Sequence, residues 1–253
     1  MSFSAFNEGH RTVPTEPAPN SVLGRILAIL DTVKSIGNPT TVAELSHQTG
    51  IPKSSTARLI AELIEHRYLI RTDDGISLGM RLFEFGSRAS IPKRMIATAA
   101  PLLKGLCDLT GDRVTLWVSK QETMVLLAAT AGRIDFLPTR PGMRTSVFNT
   151  ASGKASLAFT DRHVVDRVCE RVVPHLASDF KSELKVVRST SVALDLGDAF
   201  PGVRGVASPV LAPGNRAIGA IAVTGPEDKV DPHEIAAPLL HSVNTLADRL
   251  MAA

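Results

Sequence analysis

From Ser21 onward the apolar side chains Val22, Leu23, Ile26, Leu27, Ile29, Leu30 and Val33 recur at helical spacing until Gly37-Asn38-Pro39 breaks the run, which predicts a first helix. Thr40 or Thr41 can cap a second helix, with Glu44 three residues after Thr41 as in a capping box and Val42, Ala43 and Leu45 on the apolar side. Thr49-Gly50 ends it. Pro52 suits the first turn of a third helix, in which Thr56, Leu59, Ile60 and Leu63 fall at i, i+3, i+4 and i+7. That spacing leaves Lys53, Ser54, Ser55 and Arg58 on other faces. Residues 68–71 and 76–78 read as strands around Thr72-Asp73-Asp74-Gly75, where Asp-Gly supplies the positive φ of a tight hairpin turn. Three helices followed by a hairpin describe a winged helix-turn-helix. Arg67 stands at a helix end that glycine would fill most easily.

A helix over about 80–90, stopping before Pro92, predicts a connector, with the domain boundary near Ile91. Beyond it the pattern predicts a helix over 93–110, strands over 114–118 and 124–129, and a weaker strand over 133–139. Helical spacing returns at 151–159, 162–172 and 178–187. Strands over 203–211 and 217–224, joined by Pro213-Gly214-Asn215, precede a last helix over 232–251. Strands flanked by helices at both ends indicate an α+β domain on an antiparallel sheet. The expected organisation is a disordered arm over 1–20, a DNA-binding head over 21–78, a linker helix over 79–91 and a larger domain over 92–253. Pro14, Pro17 and Pro19, with few large apolar neighbours, underlie the expectation for the arm.

Composition alters this picture little. With 44% hydrophobic and 21% charged residues, the chain is an ordinary globular sequence and not a disordered one. The net charge of +3 would suit a polyanionic partner, yet the first ninety residues carry equal numbers of basic and acidic side chains. Charge balance therefore does not support nucleic-acid binding by the head. Cys107 and Cys169 are far apart, with no CxxC and no histidine pair nearby, so buried free thiols are expected and neither zinc nor a disulfide is indicated. No apolar run approaches the roughly 18 residues that cross a bilayer, and no leader pattern opens the chain, so a cytoplasmic location without membrane contact is expected.

The chemistry concentrates in 42–68. A short second helix, a glycine turn and a third helix bearing Lys53, Ser54, Ser55, Ala57 and Arg58 suit docking in a DNA major groove. Arg58 can donate two hydrogen bonds to a guanine edge, while Lys53, Ser54 and Ser55 meet phosphates or base edges at the helix start. A solvated face on a protein-interaction module is the other reading, and the wing that follows directly favours DNA. Asp73 and Asp74 at the wing tip repel phosphates, so the wing guides packing more than binding. One recognition helix reads too few base pairs, which implies a dimer on a short palindromic operator.

The run Thr49-Gly50-Ile51-Pro52-Lys53-Ser54-Ser55-Thr56-Ala57-Arg58-Leu59-Ile60 resembles the recognition-helix signature of the isocitrate lyase regulator (IclR) family. Thr150-Ala151-Ser152-Gly153-Lys154-Ala155, the run from Pro201 to Val210 and the run from Ala220 to Pro226 resemble that family's second domain in order and spacing. The resemblance covers about 21–250. It implies a GAF-like effector-binding domain, a homodimer or dimer of dimers, and control of catabolic or stress genes by a small metabolite, often an organic acid or aromatic compound. It places the effector pocket on Leu137, Thr145, Ala151, Ser152, Asp195, Gly205, Ala222 and Thr224, and implies no cofactor. Ala222 stands where several relatives carry serine, which points to a ligand less polar than a small keto acid.

Read by themselves, residues 149–153 form a small polar run opening a helix. Its N–H groups could hold a carboxylate, or Asn149 or Thr150 could simply cap it. Asp195 could accept from a ligand hydroxyl or amine, or be a surface carboxylate. Enzymatic alternatives fare poorly. Ser152-Gly153-Lys154 is superficially like a phosphate loop, but Phe148 stands where glycine is required and Ala155 where Ser or Thr would ligate magnesium. No HxxxH, HExxH or GxSxG pattern is present, and no enzyme is expected.

Overall fold

The computed structural model describes residues 21–120, 122–134, 136, 137, 139–171 and 176–252, so the arm expected over 1–20 lies outside the described residues. The chain divides into two compact units, one ending at Ala89 and the other beginning at Ser90.

The first unit runs α1 (Val22–Ile36), α2 (Val42–Thr49), α3 (Lys53–Glu65), β1 (Leu69–Thr72), β2 (Gly75–Leu78) and α4 (Met80–Gly86). Ser21 caps α1 by accepting from the Gly24 N–H at 3.0 Å, and Gly37 ends it at φ 69°. Thr41 caps α2 at 3.1 Å from the Glu44 N–H. The reciprocal half of the capping box is missing, because the Glu44 carboxylate accepts from Gln48 one turn on. Ile29, Val33, Leu45, Leu59, Ile60, Leu63, Leu69 and Ile76 close a core over which the hairpin folds.

The hairpin departs from expectation in one detail. Thr72 pairs with Gly75, so Asp73 and Asp74 form the turn, and neither has positive φ. The positive φ, 136°, belongs to Gly75, where a Cβ would stand 2.6 Å from the Thr40 carbonyl oxygen. Glycine there lets β2 bond Thr40 through the Ile76 N–H and C=O, at 2.8 and 3.0 Å. Beyond α3, Arg67 adopts φ 62° while its N–H donates to Ile64 and that of Tyr68 to Leu63. This left-handed conformation costs a non-glycine residue about 1–2 kcal/mol, and glycine's own entropy on folding is roughly 0.5–1 kcal/mol. Arg67→Gly is therefore expected to stabilise the first unit by about 0.5–1 kcal/mol in urea melts; a loss instead would mean that the Arg67 side chain supports the wing.

The second unit holds α5 (Ser90–Thr110), β3 (Arg113–Lys120), β4 (Thr123–Ala129), β5 (Arg144–Ser146), α6 (Ala151–Leu157), α7 (Arg162–Arg171), α8 (Ala177–Thr190), β6 (Ala193–Asp195), β7 (Val203–Ala212), β8 (Arg216–Pro226) and α9 (Pro232–Met251). The helix expected over 80–90 stops at Gly86, and a turn through Ala89 separates it from α5. Pro92 lies inside the first turn of α5, where its missing N–H costs no hydrogen bond. One antiparallel sheet in the order β5-β4-β3-β8-β7-β6 organises the unit. Side chains alternate between its faces. Val114, Leu116, Val206, Ile221 and Val223 pack beneath α5 and α9. Trp117, Leu126, Ala207, Ala220 and Ala222 face α6.

The strand expected over 133–139 is absent among its described residues. Arg133 instead clamps the buried Asp112 carboxylate through two bonds, of 2.9 and 2.7 Å, which holds this stretch as a loop. The short edge strands β5 and β6 were not anticipated. Cys169 is a buried free thiol, held above the ordinary thiol range by burial. Cys107, expected to be buried as well, is half-buried, with its Sγ 3.1 Å from the Ala131 carbonyl.

Candidate functional site

Helix α3 is anchored by Thr56, whose hydroxyl donates to the Ile51 and Pro52 carbonyls at 3.1 and 3.2 Å and is fully buried. With Leu59, Ile60 and Leu63 it turns one face inward. Lys53, Ser54, Ala57 and Arg58 consequently stand exposed, and Ser55 is half-buried. The Arg58 side chain is 74% exposed, and its Nε lies 4.0 Å from Glu62, an exposed pair of little energetic consequence. The guanidinium is thus available to an incoming partner. Sequence spacing alone did not suggest Glu62 as a competitor for it.

In the second unit, register builds a row of four side-chain positions on the α6 face. Arg113 pairs with Thr224, Thr224 with Gly205, and Gly205 with Asp195, across β3, β8, β7 and β6. Ala222 lies in the adjoining row, flanked by Thr115 and Ala207. A Cβ placed on Gly205 would sit 3.4 Å from the Cβ atoms of both Ala151 and Asp195 and 4.0 Å from the Thr224 hydroxyl. These positions therefore converge on the spot that a side chain at Gly205 would occupy. Leu137 joins through its carbonyl, which accepts from Arg113 Nη1 at 2.9 Å, while its side chain packs with Ile134 and Val203. Thr145 lies on β5 at the other edge of the sheet, opposite Met124 of β4, and no hydrogen bond among the described residues ties it to the row.

The start of α6 is capped: the Thr150 hydroxyl accepts from the Gly153 N–H at 3.2 Å. Of the two readings of 149–153, the ordinary cap is the one formed. Ser152 follows, buried, with no hydrogen bond from its hydroxyl among the described residues. Beside the cap, the Asn149 side-chain oxygen is buried without a partner among the described residues, an acceptor open to a donor. Gly153 is required by close approach, since a Cβ there would lie 2.4 Å from Val147 Cα and 2.7 Å from the Ser146 carbonyl oxygen. Lys154 is committed within the fold. Its ammonium contacts Glu183 at 2.9 Å, Asp198 at 3.0 Å and the Leu194 carbonyl at 3.2 Å, tying α6 to α8 and to the segment after β6.

Asp195 is no surface carboxylate. It is 7% exposed, and Oδ1 accepts from the N–H groups of Gly197, Asp198 and Ala199 at 3.1, 2.8 and 3.3 Å. Burial lifts its carboxyl above the ordinary range despite those three donors. Arg113 is the member of the row that sequence reasoning missed. Its only signal was a cation just before the apolar-rich run over 114–118, and its neighbours in the row come from distant parts of the chain. Trp117 is likewise satisfied within the site, its Nε1 donating to Thr115 at 2.8 Å.

Among the described residues no group of three or more His, Cys, Asp or Glu side chains could hold a metal, and no helix is long and apolar enough to cross a membrane. The family model described as the IclR helix-turn-helix domain matches residues 22–73, and that described as the bacterial transcriptional regulator IclR C-terminal matches residues 91–251. The chain belongs to the IclR family. This IclR-family protein is a DNA-binding transcriptional regulator with an α+β fold. It is 27% identical to the HTH-type transcriptional regulator RhmR of Escherichia coli K12, over 80% of this chain and 82% of that one. It is 22% identical to the transcriptional repressor IclR of the same organism, over 86% and 85%. Among solved structures, an IclR homologue from Microbacterium hydrocarbonoxydans complexed with 4-hydroxybenzoate superposes with a TM-score of 0.84 at 20% identity, covering 92% of this chain and all of that one. The IclR of Thermotoga maritima superposes at 0.68 and 22% identity, over 90% and 98%.

Proposed function

We propose that this regulator binds its operator through Lys53, Ser54, Ser55, Ala57 and Arg58, and that a small organic acid or aromatic metabolite held on the α6 face sets its affinity for DNA. The row Arg113–Thr224–Gly205–Asp195 carries the reading. It aligns a cation, a hydroxyl, a gap without a side chain and a carboxylate in the order that a hydroxylated organic acid would need. Ala151, Ser152, Leu137 and Ala222 complete an otherwise small and apolar surround, and Thr145, on β5, stands apart from it. The 4-hydroxybenzoate bound by the Microbacterium homologue is an acid of this class.

In this reading the head spans 21–78, a linker over 79–91 carries the coupling, and 92–253 binds effector and assembles the oligomer. Pairing of two heads is supported by apolar side chains left exposed on α1, Leu23 and Leu27, and on α4, Met80 and Phe83. A homodimer, or a dimer of dimers, presents two recognition helices to a palindromic site. A second reading, constitutive DNA binding with a second unit that only assembles the oligomer, is favoured by how well the site satisfies itself through Asp195 and Trp117.

Gly205→Ala separates the two. A methyl group fits at van der Waals distance and fills the gap, so the fold is retained while affinity for 4-hydroxybenzoate, used as the first probe in calorimetry, falls tenfold or more. Operator affinity of the unsubstituted protein should shift when the probe is added, and that of the variant should not. If neither 4-hydroxybenzoate nor related aromatic acids shift operator affinity, the constitutive reading stands.

A further inference from the structure

On the opposite side of the sheet an open groove of about 460 Å³ runs between the first turns of α5, the end of β3, the start of β8 and the end of α9. Its floor is apolar, with Met95 and Leu250 buried and Val118 and Ile218 half-buried. These side chains belong to the core beneath α5 and α9, the face turned away from α6. At the lip the same character continues into solvent, where Ile91 is 74% exposed and Met251 50% exposed. Exposed aliphatic side chains bordering an apolar floor mark a place where an occupant removes surface from water.

The charged rim narrows the choice of occupant. Arg94, Lys120 and Arg216 line the groove and no acidic side chain does. Arg94 is already engaged, donating to the Leu250 carbonyl at the end of α9. Lys120 and Arg216 are exposed and take part in no ion pair among the described residues. Two uncommitted cations over an apolar floor ask for an anionic head on an apolar body. The volume lies in the range of small-molecule sites, about 300–1,000 Å³.

We propose that this groove is a second ligand site, distinct from the α6-side space, and that it takes an amphiphilic carboxylate: an aliphatic chain of medium length laid along Met95, Val118, Ile218 and Leu250, with its carboxylate at Lys120 and Arg216. The assignment stands apart from the proposed effector row, whose residues lie on the other face of the sheet.

Calorimetric titration of the full chain with sodium octanoate tests it, with octanol as the neutral analogue. Saturable binding of octanoate is expected, weakening with added salt, and octanol should bind at least tenfold more weakly. The paired substitution Lys120→Glu and Arg216→Glu, on exposed side chains that leave the core intact, should reduce octanoate affinity tenfold or more. Gly205→Ala should leave it unchanged. The proposal is overturned by any of three results: no saturable binding, equal binding of octanol, or loss of binding in Gly205→Ala with retention in the paired variant. No saturable binding accompanied by a drop in oligomer mass in the paired variant under light scattering would make the groove a contact between copies of this chain.

Discussion

Lys154→Met should lower the stability of the second unit by about 3 kcal/mol at neutral pH, read from the midpoint of urea unfolding. The side chain is 6% exposed and holds two carboxylates and a carbonyl belonging to separate elements. Removing one partner of a buried ion pair costs about 3–5 kcal/mol because charge is left uncompensated. Glu183 and Asp198 are 37% and 57% exposed, so water recovers part of that loss and the low end of the range applies. Burial by itself would depress the Lys154 ammonium, but bonds from Glu183 and Asp198 outweigh it and leave the group above the ordinary lysine value. A raised folded value means that the contribution is complete below the unfolded pKa and is lost as pH rises through the folded one. The difference between the two proteins should therefore hold through neutral pH and shrink only on alkaline titration past the ordinary lysine range. Equal midpoints at pH 7 would show that α6 is held without this cation.

Arg58→Ala should weaken operator binding by about 1–3 kcal/mol, roughly 5- to 150-fold, and flatten the preference for one base position, with the thermal midpoint unmoved. The arginine projects from a helix whose opposite face is locked by Thr56 and Leu59, and its intrahelical pair with Glu62 contributes little. Its removal takes away a reader and not a support. Lys53→Ala offers the contrast, weakening all sequences alike and reducing the salt slope, as a phosphate contact does. Footprints of Arg58→Ala that keep both the site and its sequence preference would remove α3 from the role of reader.

What the sequence made legible was mostly local. The 3.6-residue periodicity of α1 and α3, the cap at Thr41, and the stops at Gly37 and Gly50 are written in adjacent residues, and so is the left-handed Arg67. Elements decided by distant partners were not readable. Residues 133–139 look strand-like in isolation, but Arg133 is captured by Asp112, a residue twenty-one positions earlier. Strands β5 and β6 span three residues each, too few for an alternation to emerge, and exist because longer strands offer them a free side. The site shows the same division. Thr150 as a cap could be read from its own segment, whereas the alignment of Arg113 with Asp195 depends on two intervening strands from the far end of the chain.

Those two edge strands bear on how many copies can safely be held together. A sheet that ended in long, flat strands would invite a neighbouring chain to add itself by backbone pairing and so to grow without limit. Three residues at each margin provide too short a template for such growth. Any contact between copies of this unit would then rest on the shape and chemistry of its side chains, a mode of contact that can close on a fixed number of copies and leave no open end.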